Sequence, residues 1–426
     1  MLDEDKIEEE KAKTLELVLE SLAPYCNEDS EYEDFRKIAK ILAEGKDLDG
    51  EYLDGATNFS YRVFPTGDRD TSVFVKIGFE YARWNPDKSF YDLNRMQIEY
   101  DMLKKFAVRI GSRAPVATPY LCVDVAPTIK MLVTQWAPQH DVWAKQFVVG
   151  KIDPRITRQL AHFIAEVNTQ PIQDRFLNNG IKDSFRGLYP IAKRFFWQIT
   201  SAEGEPADHF IAFARELGRE RFEDIIDGLA ASYERSDVLV HGDTHCLNIL
   251  VEPSEDGSGF GERGEFYVCD WEMVHIGDKG RDPGTFYAWP ILCSYFLAAR
   301  GETTSACTVV EAMKQFWDVY SCALVENDSI YKNDLSTVLR SCLGWCGVYT
   351  FIANYLVGIQ RNHMPFHLLP KHASDVCLAS VALTGVKCME CGFLNTDPSM
   401  STDELWEWFE NLIKDNIVLV EKLCPT

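Results

Sequence analysis

The sequence predicts an α+β fold with two lobes, a small β-rich N-lobe and a large, mainly helical C-lobe. The chain has 426 residues, which is too many for one ordinary hydrophobic core. Short segments with strand character are concentrated between residues 58 and 136, and helical spacing of apolar residues dominates elsewhere. We therefore expect N-terminal helices over 1–48, the N-lobe over 49–136 and the C-lobe over 137–426.

The N-terminal third contains helix, strand and turn signals in succession. The cluster Pro65-Thr66-Gly67-Asp68 is typical of a turn between two strands. Pro127 lies between two alternating segments that read as a hairpin. The predicted elements are helices over 5–24 and 32–45, strands over 58–64 and 72–77, a helix over 92–107, and strands over 120–125 and 129–136.

The remainder of the chain is predicted to be mainly helical. Asp153-Pro154 is a helix start, with Asp as N-cap and Pro at the first helical position. The apolar stretches Trp289–Ala299 and Leu343–Ile359 read as buried helices and not as membrane spans. The other predicted elements are helices over 155–169 and 206–233 around a less regular stretch, paired short strands over 238–240, 249–251 and 266–269, and helices after 285.

Composition excludes several classes of function. A net charge of −23 disfavours nucleic acid, which needs clustered Lys and Arg. The acidity fits either solubility or a cationic substrate, and its spread along the chain favours solubility. Thirteen Cys without framework spacing, and an acidic N-terminus in place of a basic leader, predict a cytoplasmic protein. Cys388 and Cys391 lack the second ligand pair of a zinc site.

Residues 239–250 read L-V-H-G-D-T-H-C-L-N-I-L and carry the clearest chemical signal. An apolar strand delivers His241 and Asp243 into a loop that Asn248 closes, and Asp270 follows at the start of D-W-E. Phosphoryl transfer needs one carboxylate to take the proton of the attacking hydroxyl. It also needs an amide oxygen and a second carboxylate to hold magnesium on the phosphates. The ordered set is specific where a lone H-G-D would not be.

H-G-D-x-x-x-x-N followed by D-W-E resembles the aminoglycoside phosphotransferase and choline kinase superfamily, relatives of the protein kinases. The resemblance implies a bilobal protein-kinase-like fold with ATP and Mg²⁺ as cofactors. It implies that Asp243 is the catalytic base and that Asn248 and Asp270 are magnesium ligands. G-D-K-G-R-D-P-G, at residues 277–284, matches too and implies that Asp282 is a structural carboxylate that anchors the loop.

The N-terminal half offers candidates for a nucleotide clamp. Lys76 ends the apolar strand S-V-F-V-K, where an ammonium can neutralise phosphate oxygens. Glu99 on the following helix is the best carboxylate to orient it, because Asp101 faces elsewhere on that helix. Without the other motifs, Lys76 would indicate a solvated lysine at the end of a strand. The other candidates for nucleotide contact are Gly55 and Asn58 in the phosphate-covering loop 54–61, and Gln135 and Ala137 in a hinge at Thr134–Ala137.

The sequence is least specific about which member of the superfamily the chain resembles and which residues contact the substrate. The chain is locally most similar to methylthioribose kinase-like proteins, in the segments D-G-A-T-N-F-S-Y-R-V, V-K-I-G-F-E-Y-A-R-W and Q-I-E-Y-D-M-L. The asparagine at position 248 is similar to that of choline kinases and aminoglycoside phosphotransferases. The candidate substrate contacts are Arg281, His245 and Glu272. The guanidinium of Arg281 could hold sugar hydroxyls or an anion, and the alternative is a structural contact of Arg281 with Asp278. Aromatic residues of the C-lobe either cage a quaternary ammonium or, as is commoner, form core.

We expect an ATP- and magnesium-dependent small-molecule kinase that transfers the γ-phosphoryl to a metabolite hydroxyl, on a methylthioribose-like sugar or an amino alcohol such as choline. The alternative is a catalytically inactive kinase-like binding or scaffold protein, which would not need the full set of candidate residues. H-G-D instead of H-R-D, D-W-E instead of D-F-G and the lack of A-P-E disfavour a protein kinase. The expected partner is a small hydroxyl substrate, with a homodimer left open.

Overall fold

The chain divides into two compact units. The first contains the residues up to 139 together with Tyr267–Met273, and the second contains the described residues from His140 to Phe266 and from Val274 onward. The computed structural model describes residues 4–27, 29–44, 46–53, 58–80, 92–109, 115–137, 140–171, 188–204, 208–252, 264–358, 360–394 and 397–424.

The first unit is built on a five-stranded antiparallel sheet in the order β1-β2-β3-β5-β4. Its strand β1 was not predicted, because L-D-G-E-Y-L is polar and no residue of it is fully buried. The elements of this unit are α1 (Glu4–Leu22), α2 (Glu33–Ala43), β1 (Leu48–Leu53), β2 (Phe59–Pro65), β3 (Val73–Phe79), α3 (Asn94–Arg109), β4 (Pro119–Ala126) and β5 (Ile129–Gln135).

The two faces of β3 have different roles. Val73, Val75 and Ile77 alternate onto the face that shares a hydrophobic core with α1 and α2. Lys76 therefore lies on the opposite face, where it contacts Glu99 of α3. Strand alternation is thus what sends the one cation of β3 away from the apolar core and towards α3.

The second unit is mainly helical. Its helix α5 begins as predicted, since the carboxylate of Asp153 accepts from the backbone N–H of Arg155 at 2.8 Å. The elements are β6 (Asp141–Val142), α4 (Ala144–Val148), α5 (Pro154–Asn168), α6 (Leu188–Ser201), α7 (His209–Leu217), α8 (Arg219–Tyr233), β7 (Val238–Val240), β8 (Ile249–Val251), β9 (Phe266–Val268, crossing into the first unit), β10 (His275–Gly277), α9 (Arg281–Ala299), α10 (Thr303–Asn327), α11 (Leu335–Gly347), a π-helix (Val348–Val357), α12 (Lys371–Leu394) and α13 (Thr402–Leu423).

Three details of the second unit differ from the prediction. Strand β7 pairs with β10, and β8 pairs with β6, whereas the sequence suggested that β7 and β8 pair together. Strands of three residues have too short a pattern to identify their partners. The stretch taken as irregular contains α6, and the single helix predicted over 206–233 is broken by Gly218, whose φ of 77° no helix accommodates.

Glycines bring the N-terminus of α9 against α11. A Cβ at Gly280 would lie 2.2 Å from the backbone nitrogen of Cys342, and one at Gly284 would lie 2.5 Å from its carbonyl oxygen. Because both obstacles are backbone atoms, neither can move aside as a side chain would. The close approach fixes the position of Arg281 and Asp282 relative to α11.

The apolar stretches of the second unit are buried helices, as predicted. Among the described residues, Leu335–Val357 and Lys371–Leu394 are long and apolar enough to cross a membrane. However, 83% and 72% of their most apolar windows are buried inside the protein, as core helices are.

Replacing Gly284 by Ala should destabilise the protein by about 2 kcal/mol, because the added methyl overpacks against rigid backbone. The measurement is the free energy of unfolding from urea denaturation. The matched control is Gly50→Ala, whose Cβ would meet only the flexible end of Leu15 and should cost less than about 1 kcal/mol. Equal losses in the two variants would contradict the close-packing account.

Candidate active site

A buried lysine surrounded by carboxylates forms the polar centre of the first unit. The Lys76 ammonium lies 2.8 Å from Glu99 Oε2, also bonds Asp270 Oδ1, and lies 3.5 Å from Glu272 Oε2. The side chain of Lys76 is only 7% exposed. The predicted ion pair of Lys76 with Glu99 is therefore present. Lys76 also contacts the candidate magnesium ligand Asp270.

The charges of this cluster shift its pKa values. Burial alone lowers the pKa of Lys76, but the carboxylates of Asp270, Glu272 and Glu99 outweigh burial and hold it well above its ordinary value. Burial raises the pKa of Glu99, and the neighbouring carboxylates add to that effect against the attraction of Lys76. Lys76 thus stays charged, and the three carboxylates bring more negative charge than this lysine alone can balance.

Asp270 occupies a strained backbone conformation. Its φ of 63° is the only positive φ outside glycine among the described residues. The following turn is held onto α3, since the Trp271 backbone N–H donates to Glu99 Oε1 at 3.2 Å and the Trp271 ring lies 5.1 Å from that of Phe106. Glu99 therefore contacts Lys76 through one oxygen and the turn behind Asp270 through the other. Strain of this kind is often found where a side chain must point at a ligand.

Glu272 lies in a buried triangle with Asn58 and Arg95. The Asn58 amide donates to Glu272 Oε2 at 2.6 Å, and the Arg95 guanidinium donates to Asn58 Oδ1 at 3.0 Å and to Glu272 Oε2 at 3.4 Å. All three side chains are buried. Glu272 was predicted as a substrate contact, and the structure places it among residues of the nucleotide-clamp set. Asn58 and Glu272 are 214 positions apart in sequence, so no local pattern indicates this contact.

In the second unit, Asp282 holds the His-Gly-Asp loop by its backbone. Its carboxylate accepts from the N–H groups of His241 and Gly242, both at 2.9 Å, and from the Thr244 hydroxyl and the Asn168 amide, both at 3.0 Å. Four donors satisfy one fully buried carboxylate, which is what a buried charge requires. The structure confirms Asp282 as the predicted loop anchor.

Asp243 lies in this loop with Asn248 and His245. Asn248 Nδ2 donates to the backbone oxygen of Asp243 at 3.0 Å and lies 3.3 Å from its Oδ2, while His245 Nε2 lies 3.3 Å from the same Oδ2. Burial alone raises the pKa of Asp243, but His245, His241 and Arg281 reverse this and hold that pKa below its ordinary value. Asp243 is therefore ionised at neutral pH, as a proton acceptor must be.

Arg281 is enclosed by protein groups. Its guanidinium lies 4.7 Å from the ring centre of Trp345 and 5.2 Å from that of Tyr233, and its Nε donates to the Gly242 carbonyl at 3.2 Å. These aromatic rings therefore surround a cation of the protein itself. Asp278, the structural partner suggested for Arg281, accepts from Arg235 Nη1 at 3.0 Å and from the backbone N–H of Arg281's neighbour Gly280.

The remaining predicted residues are only partly described. In the hinge segment, the Gln135 backbone N–H donates to Thr118 at 2.8 Å, so this donor is already used inside the protein. Ala137 is described and partly buried. Gly55 lies outside the described residues. The sequence did not indicate Arg95 and Asn168, which make contacts distant in the chain and have no motif of their own. Tyr349 was considered only as one of the aromatic residues of the C-lobe.

A buried lysine–carboxylate pair and a backbone-anchored His-Gly-Asp loop are the features expected of a kinase-like phosphotransferase. The family comparison agrees, since the model of the phosphotransferase enzyme family matches residues 52–304, more than half of the chain. The chain belongs to that family. The predicted superfamily and the enzyme class of a phosphotransferase are thereby confirmed, and the sheet and helices of the two units agree with the predicted α+β fold class.

Solved structures match the chain weakly. An aminoglycoside-3'-phosphotransferase of type VIII has 16% identity and a TM-score of 0.34, over 70% of this chain and 99% of that chain. A glucosamine kinase in complex with glucosamine, ADP and inorganic phosphate has 12% identity and a TM-score of 0.40, over 86% and 84%. No curated protein sequence matches the chain. Identities and TM-scores this low do not define a substrate.

Replacing Arg95 by Met should cost about 3 kcal/mol, because the buried Glu272 carboxylate loses an ionic partner. Adding Glu272→Gln should recover part of the loss, so the double variant should be more stable than the sum of the single losses predicts. The measurement is the free energy of unfolding of all four proteins.

The matched control for Arg95→Met is Arg69→Met at the Arg69–Glu51 pair, whose side chains are 54% and 47% exposed. It should cost less than about 1 kcal/mol, because solvent screens an exposed pair. Strict additivity of Arg95→Met and Glu272→Gln would show that the buried contact has no coupling energy.

Proposed function

We propose that the protein is an ATP- and Mg²⁺-dependent kinase that transfers the γ-phosphoryl group to a hydroxyl of a small metabolite. The observation that carries this proposal is the bonding of the buried Lys76 to both Glu99 and Asp270. A charged lysine oriented by a carboxylate and adjacent to a candidate metal ligand is the arrangement that nucleotide phosphates require. Family membership supports phosphoryl transfer as the reaction class.

The donor atoms of the first unit suit magnesium. One carboxylate oxygen each of Glu99, Asp270 and Glu272 lies within 4.8 Å of the others, and Mg²⁺ prefers such oxygen ligands. We assign Asp270 as the ligand, because Lys76 bonds its Oδ1 alone, whereas both oxygens of Glu99 are bonded, by Lys76 and by Trp271. Glu272 is bonded by both Asn58 and Arg95. Its side chain is also the most exposed of the three, at 33%. Bound Mg²⁺ would supply charge neutralisation on the transferred phosphate.

Asn248 is the second proposed magnesium ligand. Its Nδ2 is committed to Asp243, which leaves the amide oxygen as the atom for a cation. Asp243 is the proposed base that accepts the proton of the attacking hydroxyl, and its lowered pKa keeps it in the accepting form. Lys76 binds phosphate oxygens and Glu99 holds it in place.

Adenine is proposed to bind the backbone of Thr134–Ala137. The N–H of Gln135 is donated to Thr118, so the donor for adenine must come from Trp136 or Ala137. This narrows the proposed donor of the hinge to two backbone amide groups.

The acceptor is proposed to be a sugar or an amino alcohol, with methylthioribose and choline as the two substrates suggested by sequence. The structure does not favour a choline cage among the buried aromatics of the described residues. Trp289 and Trp406 are buried in the core, and Trp345 packs on Arg281. A coupled ADP-release screen over methylthioribose, choline, ethanolamine and aminoglycosides tests the acceptor directly. ADP release with none of them would favour a catalytically inactive protein.

Replacing Asp243 by Asn should lower kcat by ~10²–10⁴-fold while ATP affinity stays nearly unchanged, because the variant keeps the shape but cannot accept the proton. The measurements are steady-state ADP release and nucleotide titration. Asp227→Asn, at an exposed residue of the same unit, is the control and should keep full activity. Near-normal turnover of Asp243→Asn would refute the assignment of the base.

Replacing Asp270 by Ala should abolish the magnesium-dependent part of nucleotide binding, since the variant loses the proposed metal ligand. Thermal shifts with ATP, measured with Mg²⁺ and with EDTA, should differ in the wild type and coincide in the variant. Equal magnesium-dependent shifts in both proteins would exclude Asp270 as a ligand.

A further inference from the structure

The peptide unit that carries Asp243 is held at both of its ends. At one end, the Gly242 carbonyl accepts from the Tyr349 hydroxyl at 2.9 Å and from Arg281 Nε at 3.2 Å. At the other, the Asp243 N–H donates to His241 Nδ1 at 3.3 Å. Gly242 adopts a φ of 86°, a left-handed conformation that other residues disfavour. The plane of this peptide sets the direction in which the Asp243 side chain leaves the backbone.

Tyr349 comes from an uncommon element. It lies near the start of the π-helix Val348–Val357, which continues α11 without a break, and its side chain is buried. π-Helices are rare, and many of them occur at functional sites. The glycine contact of α9 with α11 keeps Arg281 and Tyr349 on neighbouring elements, so both donors reach the same carbonyl oxygen.

Tyr349 and Asp282 hold different parts of the loop. Asp282 binds the N–H groups of His241 and Gly242, so its removal would leave buried donors without an acceptor. The Tyr349 hydroxyl shares its acceptor with Arg281, so removing that hydroxyl still leaves the Gly242 carbonyl bonded. Loss of the hydroxyl should therefore loosen the peptide plane without dismantling the loop.

We propose that Tyr349 is a positioning residue for phosphoryl transfer, whose hydroxyl fixes the Gly242–Asp243 peptide plane and through it the carboxylate of Asp243. This rests on the proposed role of Asp243 as the base. Small displacements of a reacting group cost rate without costing affinity, so the effect belongs to kcat.

The test compares Tyr349→Phe with Tyr295→Phe. Tyr295 is equally buried in the same unit, and its hydroxyl bonds Thr384 Oγ1 at 2.6 Å, away from the loop. Both variants lose one buried hydroxyl, so their melting temperatures should fall by similar amounts. Only Tyr349→Phe should lower kcat, by ~10-fold, with KM for ATP and acceptor within about twofold of the wild type.

Amide hydrogen exchange gives a second measurement that needs no substrate. Exchange of the peptide covering residues 238–251 should rise in Tyr349→Phe and stay unchanged in Tyr295→Phe. Unchanged exchange and kcat in Tyr349→Phe, or equal kcat losses in both variants, would overturn the proposal. If the wild type releases no ADP with any acceptor, the proposed function fails separately. Exchange alone then decides whether Tyr349 holds the Asp243 peptide.

Discussion

The structure of the first unit depends on the carboxylates that compensate the burial of the charged Lys76. Moving an ammonium out of water costs several kcal/mol unless opposite charges and hydrogen bonds compensate. Glu99 and Asp270 provide the bonds to Lys76, and Glu272 lies close by. These carboxylates come from a helix and from a turn far along the chain. The ion pairs of Lys76 with Glu99 and Asp270 thus hold β3, α3 and the segment around Asp270 together.

In the second unit, contacts from outside the His-Gly-Asp loop hold this short segment in one conformation. The loop has little secondary structure, so its backbone groups need partners from outside it. Asp282 supplies the acceptor for its N–H groups, and Tyr349 and Arg281 supply donors for its carbonyl. All three partners lie on helices that glycines bring together. A rigid helical scaffold therefore defines the geometry of an irregular segment.

The contact of Lys76 with Glu99 was predicted from the sequence and is present in the structure. The resemblance of an ordered motif named Asp243, Asn248 and Asp270 as site residues, and their roles stay predictions. Most of the longer helices and strands were also predicted, because their apolar periodicity extends over several turns or pairs, but α6 and β1 were not. Family membership agrees with what the motif implied.

The failures have physical causes. The predicted pairing of β7 with β8 was wrong because three residues cannot specify a register. The contacts of Arg95 and Tyr349 were not predicted because their partners lie far away in sequence, and neither residue type indicates the contact. Glu272 was predicted as a substrate contact, and only the tertiary structure shows that Asn58 and Arg95 bind it.

The left-handed backbone at Asp270 limits which residues can stand there. Asparagine and aspartate tolerate this region better than other side chains, because their short polar groups bond locally, and glycine tolerates it best. Of these three, aspartate alone brings a negative charge. Glutamate would keep the charge and lose the backbone fit. Most substitutions at position 270 would therefore lose either the backbone conformation or the negative charge.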